Sequence, residues 1–499
     1  MAELAGPRPL GQILTDLAAD TPEAAAITMG GETWTRRDLE SAANRRARYY
    51  ATLGVGHGDY VTVALANGPY FYATVFAIWK LGATPQLISP RLPAPERAAV
   101  IGLARPRLVV GAPEPGLPTL PGEHEGGAEI SDAPFDSYPI APAWKAPTSG
   151  GTTGRPKLIV SGQDGQLDIA SLNSILRQHP DDVQLVTGPL YHNAPFNTSF
   201  FGLMAGQHLV VLPKFETRAA LDAIVHHRVS WLTVVPTMMS RMLTELRARP
   251  TAYDLGSVRA LWHMAALCPP WLKRAWIDLL GPDRIFEMYG GTENQMMTLI
   301  DGHEWLAHPG SVGRAVFGEF RVLNSEGRPC APGEVGEIFL RPPVGNGPSY
   351  RYIGAEPRTH PDWPGWDSLG DLGHVDQAGY LYLSDRRTDL IISGGANVFP
   401  AEVEAVVTEY PGVRGCAVLG LPDDDLGARV HAVVETDEPL IEADIRAYVE
   451  ARLTRYKCPR SYRFSSAPLR DDAGKLRRNE LRDIEIQLTT SSANPQGMS

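Results

Sequence analysis

The sequence predicts an α/β and α+β protein: a large N-terminal domain of stacked α/β sheets with a small barrel-like β unit, then a small C-terminal α+β domain. Three observations carry this expectation. Helical periodicity alternates with short apolar strands over residues 1–140 and again over 184–300, the pattern of mostly parallel sheets covered by helices. At "EFRVLNSEGRPCAPGEVGEIFLRP" the pattern turns to short alternating strands split by the turns "SEG" and "PGEVG". A chain of 499 residues with 43% apolar content also exceeds one hydrophobic core.

The elements follow in chain order. "TRRDLESAANRRARYYATLGV" has amphipathic helical spacing, with Asp38 and Glu40 in its first turns and Gly54 as a stop. "DYVTVAL" reads as a strand and "PYFYATVFAIWKLGA" as a largely buried helix, while Pro and Gly between Leu103 and Trp144 mark a surface excursion. "VQLVTGPLYH" and "VSWLTVVP" read as strands; "RAALDAIVHHR" and "TMMSRMLTELRAR" read as helices, the second with Thr237 as a candidate cap. The last region runs strand, helix, strand and helix through "EVEAVVTEY", "GCAVLGLP", "ARVHAVVET" and "EADIRAYVEARL", and a disordered tail is expected from about 487. The domains are thus expected at 1–386 and 387–499.

Composition narrows the partners. The formal charge of −11 is spread along the chain, which argues against nucleic acid and an anionic membrane surface and for a small molecule. Cys268, Cys330, Cys416 and Cys458 lie too far apart for a disulfide framework or a metal cage, so a reducing cytoplasm is expected. Lys80 interrupts the most apolar stretch before it reaches membrane-spanning length, so no membrane insertion is expected.

Four stretches carry candidate chemistry. "TSGGTTGRPK", 148–157, sets bare backbone N–H groups and hydroxyls around a space fit for phosphate, yet it is no Walker loop, because Arg155 stands where that pattern needs Lys. "IFEMYGGTENQ", 285–295, ends a strand in an aromatic ring, glycines, a hydroxyl and a carboxylate; a carboxylate beside polyphosphate holds magnesium. Asp371, between glycines, is suited to a ribose diol, and Arg386 follows a hairpin that returns toward the same edge. Lys475 sits on a Gly-containing turn before a helix. Taken singly, each also reads as an ordinary turn or a solvated side chain.

Together, in this order, they resemble the adenylate-forming superfamily of acyl-CoA synthetases, luciferases and adenylation domains, over almost the whole chain. The resemblance implies ATP, Mg2+ and coenzyme A. It implies that Thr148, Ser149, Thr152, Thr153 and Lys157 close on the phosphates, and that Ala265, Glu287 and Tyr289 line the nucleotide. Thr292 then meets the α-phosphate, Glu293 holds Mg2+, and Asp371 and Arg386 hold the ribose. By the same resemblance Lys475 is expected to bridge carboxylate and phosphate during adenylation, the C-terminal domain to be mobile about a hinge at Thr388, where Asp or Lys is more usual, and Gly394 and Gly395 to face the pantetheine arm. His192, Asn197, Gly290 and Gly291 fall at the acyl pocket. Met264 and Ala265 replace glycines of the usual adenine wall.

Amino-acid-activating relatives carry Asp where this chain has Asn197, and a neutral amide cannot pair with an α-ammonium, so a non-amino acid is expected. "HMAALCPPWLKRAWIDLLGP" with "PLYHNAPF" is most similar to the bile-acid-CoA ligase branch, which implies a bulky alicyclic, polycyclic or aryl acid. Two rivals stay open: an adenylation enzyme that loads a carrier protein, and a non-catalytic nucleotide-binding module. A carrier protein and a homodimer also stay open as partners.

Overall fold

A computed structural model describes residues 6–127, 129–150, 156–345, 347–471 and 474–492, with side chains except those of 149, 150 and 489–492. Thr152 and Thr153, and the side chain of Ser149, therefore lie outside the described residues.

Two sheets stack through a shared helical layer. The larger has 14 strands; its parallel part runs through Ala25–Met29, His208–Val211, Val183–Val186, Trp231–Val234, Ala260–His263 and Ile285–Gly290. The smaller has seven, including Tyr60–Val63, Thr84–Leu87 and the hairpin Ala146–Gly150/Pro156–Ser161. Helices Leu10–Asp20, Arg36–Thr52, Pro69–Lys80 and Asn193–Ala205 contribute to one continuous core with strands of both sheets. That double contact explains why "YFYATVFAIWK" carries no polar face. Lys80, at the end of its helix, is buried against Glu40, with Nζ 2.9 Å from Oε2. Helices Thr217–His227, Pro236–Ala248 and Pro270–Leu280 cover the other face of the large sheet.

Thr35 caps Arg36–Thr52 through a capping box with Asp38. Thr237 does not cap its helix: Pro236 takes the first helical position and Val235 the cap, because a ring with fixed φ and no N–H suits that position. The strands expected as a barrel-like unit are antiparallel. Through Ser311–Phe317 and Met297–Asp301 they join the edge of the large sheet.

The described residues of the C-terminal unit hold a three-stranded sheet, Gly415–Asp423, Gly427–Glu435 and Ser461–Ser465, with helices Pro400–Glu409, Glu442–Glu450 and Arg478–Ser492. Here the first two expected elements exchange places. "EVEAVVTEY" is helical, with Pro400 in its first turn and Val403 and Val407 buried one turn apart. "GCAVLGLP" is a strand whose Cys416 and Val418 enter one core while Ala417, Leu419 and Leu421 enter another; helices on both faces remove the polar alternation that marks a half-buried strand. Of the tail expected to be disordered, 487–492 continue the last helix, which is held by Leu481 and Ile486 in the second core and by Glu485, 2.6 Å from Arg463, while 493–499 lie outside the described residues. No helix among the described residues is long and apolar enough to cross a membrane.

Candidate active site

The parallel strands of the large sheet end on one side in loops rather than in further pairing, and there the chain leaves a cleft of about 2260 Å³. Its wall takes 187–189 with Tyr191 and His192 from one strand end, 235–237 from the next, 264–268 from the third and 288–294 from the fourth.

The expected ribose pair forms. Asp371 and Arg386 are cross-strand partners in the Trp363–Val375/Leu381–Arg386 hairpin, with Arg386 Nε 3.4 Å from Asp371 Oδ1. Tyr289 Oη donates to Asp371 Oδ2 at 2.8 Å, and burial with that carboxylate holds the phenol well above its usual range. The tyrosine therefore orients the Asp371 carboxylate as well as facing the cleft.

On the phosphate side, Thr148 pairs with Leu158 and Ser149 with Lys157 in the hairpin that brackets 151–155. Thr148 Oγ1 is buried and has no hydrogen-bond partner among the described residues, so it is a donor in need of an acceptor. Lys157 Nζ lies 3.7 Å from Glu293 Oε1 and 3.7 Å from the Tyr352 ring centroid; burial lowers its pKa. Tyr352 Oη donates to Glu293 Oε1 at 2.6 Å. One fixed carboxylate beside a phosphate site is what Mg2+ requires when substrate phosphates and water complete its octahedron. Thr292 is half-buried next to it. A Cβ at Gly291 would meet the tips of the Leu369 and Glu293 side chains, so a larger residue there would displace the carboxylate.

Lys475 enters the same cleft from the C-terminal unit. Gly474 makes this possible: its φ is +75°, and a Cβ there would press on Val235 and Thr237 at the start of a helix of the large domain. The backbone N–H of Lys475 donates to Asp471 Oδ1 at 2.9 Å, leaving its side chain to the cleft. Although the side chain is exposed to the cleft, the partial loss of water around it there, then the nearby Arg386, lowers the ammonium pKa. His192 borders the same turn; burial, opposed by Asp471 and assisted by Lys475, pushes its imidazole down to about 4. It is thus neutral near pH 7. Asn197 Oδ1 accepts from Lys145 Nζ at 2.5 Å.

Several expected residues stand differently. Glu287 borders the cleft, but its carboxylate is held by Lys273 Nζ at 2.6 Å in a buried pair beneath His263, so it does not serve the nucleotide as a free acceptor. Gly394 and Gly395, at φ +57° and +79°, form the exposed tip of the hairpin Ile391–Ser393/Ala396–Val398 and do not line the cleft. Thr388 lies in an exposed turn just after Arg386. Ala265 keeps the left-handed conformation, φ +73°, that a glycine would take. Among the described residues no three His, Cys, Asp or Glu side chains converge into a metal cage. Tyr352, Lys145, Lys273 and Asp471 were not singled out from the sequence. Two of them, Lys145 in "APAWKAPT" and Lys273 in "WLKRAW", break apolar stretches, a signal that could have found them.

Comparison with known proteins identifies the family. Residues 14–350 match the family model described as AMP-binding enzyme, and residues 402–475 match the AMP-binding enzyme C-terminal domain. The chain is 30% identical over 479 residues to 2-succinylbenzoate–CoA ligase of Bacillus pumilus, covering 93% of this chain and 95% of that protein. It is 31% identical over 480 residues to sulfoacetate–CoA ligase of Cupriavidus necator, covering 89% and 91%. The solved o-succinylbenzoate CoA synthetase of Bacillus subtilis with its acyl-adenylate intermediate superposes with a TM-score of 0.79 at 26% identity, covering 96% of this chain and 99% of that one. The chain belongs to the AMP-binding enzyme family, whose members include these CoA ligases.

Proposed function

We propose that this protein activates a bulky carboxylic acid lacking an α-amino group as its acyl adenylate, with release of pyrophosphate, and transfers the acyl group to the thiol of coenzyme A. The observation that carries the reading is Lys475: an ammonium of the C-terminal unit on a glycine turn, inside the cleft beside Arg386 and His192.

The chemistry follows from charge. A carboxylate oxygen attacks the α-phosphorus, the new C–O–P linkage forms, and pyrophosphate leaves with the electrons of the broken P–O bond. Anions are brought together in this step, so preorganised positive charge lowers its barrier. Lys475 supplies it where acyl and phosphate meet; Lys157, Thr148, Ser149, Thr152 and Thr153 take the outer phosphates, Thr292 the α-phosphate, and Asp371 with Arg386 the ribose. Glu293 would hold Mg2+, which when bound offsets polyphosphate charge. In the second step the thiol attacks the acyl carbon and AMP departs. Rotation about Thr388 would withdraw Lys475 and carry the Gly394–Gly395 hairpin toward the pantetheine arm.

Asn197 supports the choice of acid. Its amide oxygen already accepts from a buried lysine, an environment hostile to a substrate ammonium. The similarity of "HMAALCPP" and "PLYHNAPF" to the bile-acid-CoA ligase branch, and the names of the aryl-acid ligases above, favour a bulky frame. Incubation with ATP, Mg2+, CoA and steroid-like, aryl and straight-chain acids, followed by mass detection, tests the reading. Acyl-CoA is expected. Adenylate that accumulates while CoA stays unused would point to a carrier-protein thiol instead, and absence of pyrophosphate release with every acid would overturn the activity.

A further inference from the structure

Three lysines of this chain are buried among the described residues: Lys80, Lys145 and Lys273. Two have a carboxylate at contact distance, Glu40 at 2.9 Å from Lys80 and Glu287 at 2.6 Å from Lys273. Lys145 has none among the described residues. It precedes the strand Ala146–Gly150 and is 4% exposed, its Nζ donating to Asn197 Oδ1 at 2.5 Å and to Asn193 Oδ1, and lying 4.3 Å from the Trp144 ring centroid.

An ammonium removed from water without a counter-ion costs several kcal/mol, so such a site is either neutral or waiting for a charge. Burial alone holds the Lys145 amine well below the usual lysine range. Two amide oxygens orient the nitrogen without neutralising it, since each brings a dipole and no charge. All three residues line the cleft that also holds His192, and the apolar Phe201 and Leu176 line it too. A purely structural tie between this strand and the first turns of helix Asn193–Ala205 would be served by a neutral donor at far lower cost.

We propose that Lys145 is the specificity-determining residue for a second anionic group on the acid, a distal carboxylate or sulfonate, which completes the ion pair that the protein itself leaves open. The inference rests on the cleft being an acid-activating site, and it narrows the substrate to an acid charged at both ends. Asn193 and Asn197 position the amine; the substrate supplies the charge.

Matched acids test it on the full-length enzyme: octanoate against suberate, β-benzoylpropionate against its ortho-carboxy derivative, and cyclohexanecarboxylate against the corresponding trans dicarboxylate, scored as kcat/KM for pyrophosphate release. In at least one frame the second charge is expected to raise kcat/KM about tenfold to a hundredfold, the range of a charge-assisted buried contact. Lys145→Met should abolish that ratio. Asn197→Asp, which keeps the lysine but gives it an internal carboxylate, should abolish it as well, and covers the case in which the Met variant fails to fold. The inference is overturned if monoacids match or exceed diacids in every frame that reacts, or if the preference survives in Lys145→Met. Turnover of monoacids alone leaves the activity standing and removes only this inference; no turnover of any acid removes both.

Discussion

Replacing Lys273 by Met isolates the ionic contact beneath the strand that carries the proposed catalytic loop. Lys273 Nζ and Glu287 Oε2 are 2.6 Å apart with side chains 1% and 7% exposed, so neither charge has water to fall back on. Removing one partner of such a pair costs about 3–5 kcal/mol, because the other remains buried and unpaired. Methionine keeps most of the length, so lost volume adds little. The pH dependence follows from the carboxyl. Burial raises the Glu287 pKa and Lys273 pulls it back down, so the variant keeps its proton to higher pH than the parent. A carboxyl whose folded pKa exceeds its unfolded value is most stabilising below the unfolded value, and that stability is lost as pH rises toward the folded one. The variant should therefore lose up to about 1.4 kcal/mol per pH unit in that window. Melting followed by circular dichroism at pH 5 and pH 8 should show a deficit of several degrees that widens at the higher pH. Adding Glu287→Gln should recover much of the loss. A deficit below about 1 kcal/mol, or one independent of pH, would refute the assignment of this pair as a buried ionic contact.

Other outcomes follow from the same geometry. Asp371→Asn should raise KM for ATP about tenfold with a smaller change in kcat, since a charge-assisted contact to the ribose is worth about 1.5–3 kcal/mol, and steady-state kinetics will read it. Tyr289→Phe removes only the hydroxyl that orients Asp371 and should show a weaker change in the same direction. Ala265→Gly relieves a left-handed backbone costing about 1–2 kcal/mol, partly offset by the greater chain entropy of glycine, so a small rise in melting temperature is expected. Because burial pushes the His192 imidazole down to about 4, His192→Gln should leave the shape of the pH–rate profile between pH 6 and pH 8 unchanged.

What could be read from the sequence depended on how local its cause was. The Asp371–Arg386 pair was visible because a short hairpin sets its register, and the glycine turn before Lys475 because turn chemistry is local. The "GCAVLGLP" strand was misread because helices on both faces erase the period-2 pattern, and the last helix because its anchors, Leu481 and Glu485, bind partners far away in sequence. Glu287 was assigned to the nucleotide since nothing local announces that a lysine 14 residues earlier neutralises it. Tyr352, 59 residues beyond Glu293, reaches it only through the pairing of Tyr350–Ile353 with Pro156–Ser161.

The separation of the two half-reactions in Lys475→Ala tests the central claim most directly. The lysine side chain is exposed to the cleft, so the fold should survive. Acid-dependent pyrophosphate exchange should fall about 10²–10³-fold, the cost of one lost preorganised donor, while conversion of supplied acyl-AMP and CoA to acyl-CoA stays at the parent rate. Exchange that persists at the parent rate, or equal loss of both steps, would contradict the role given to this ammonium.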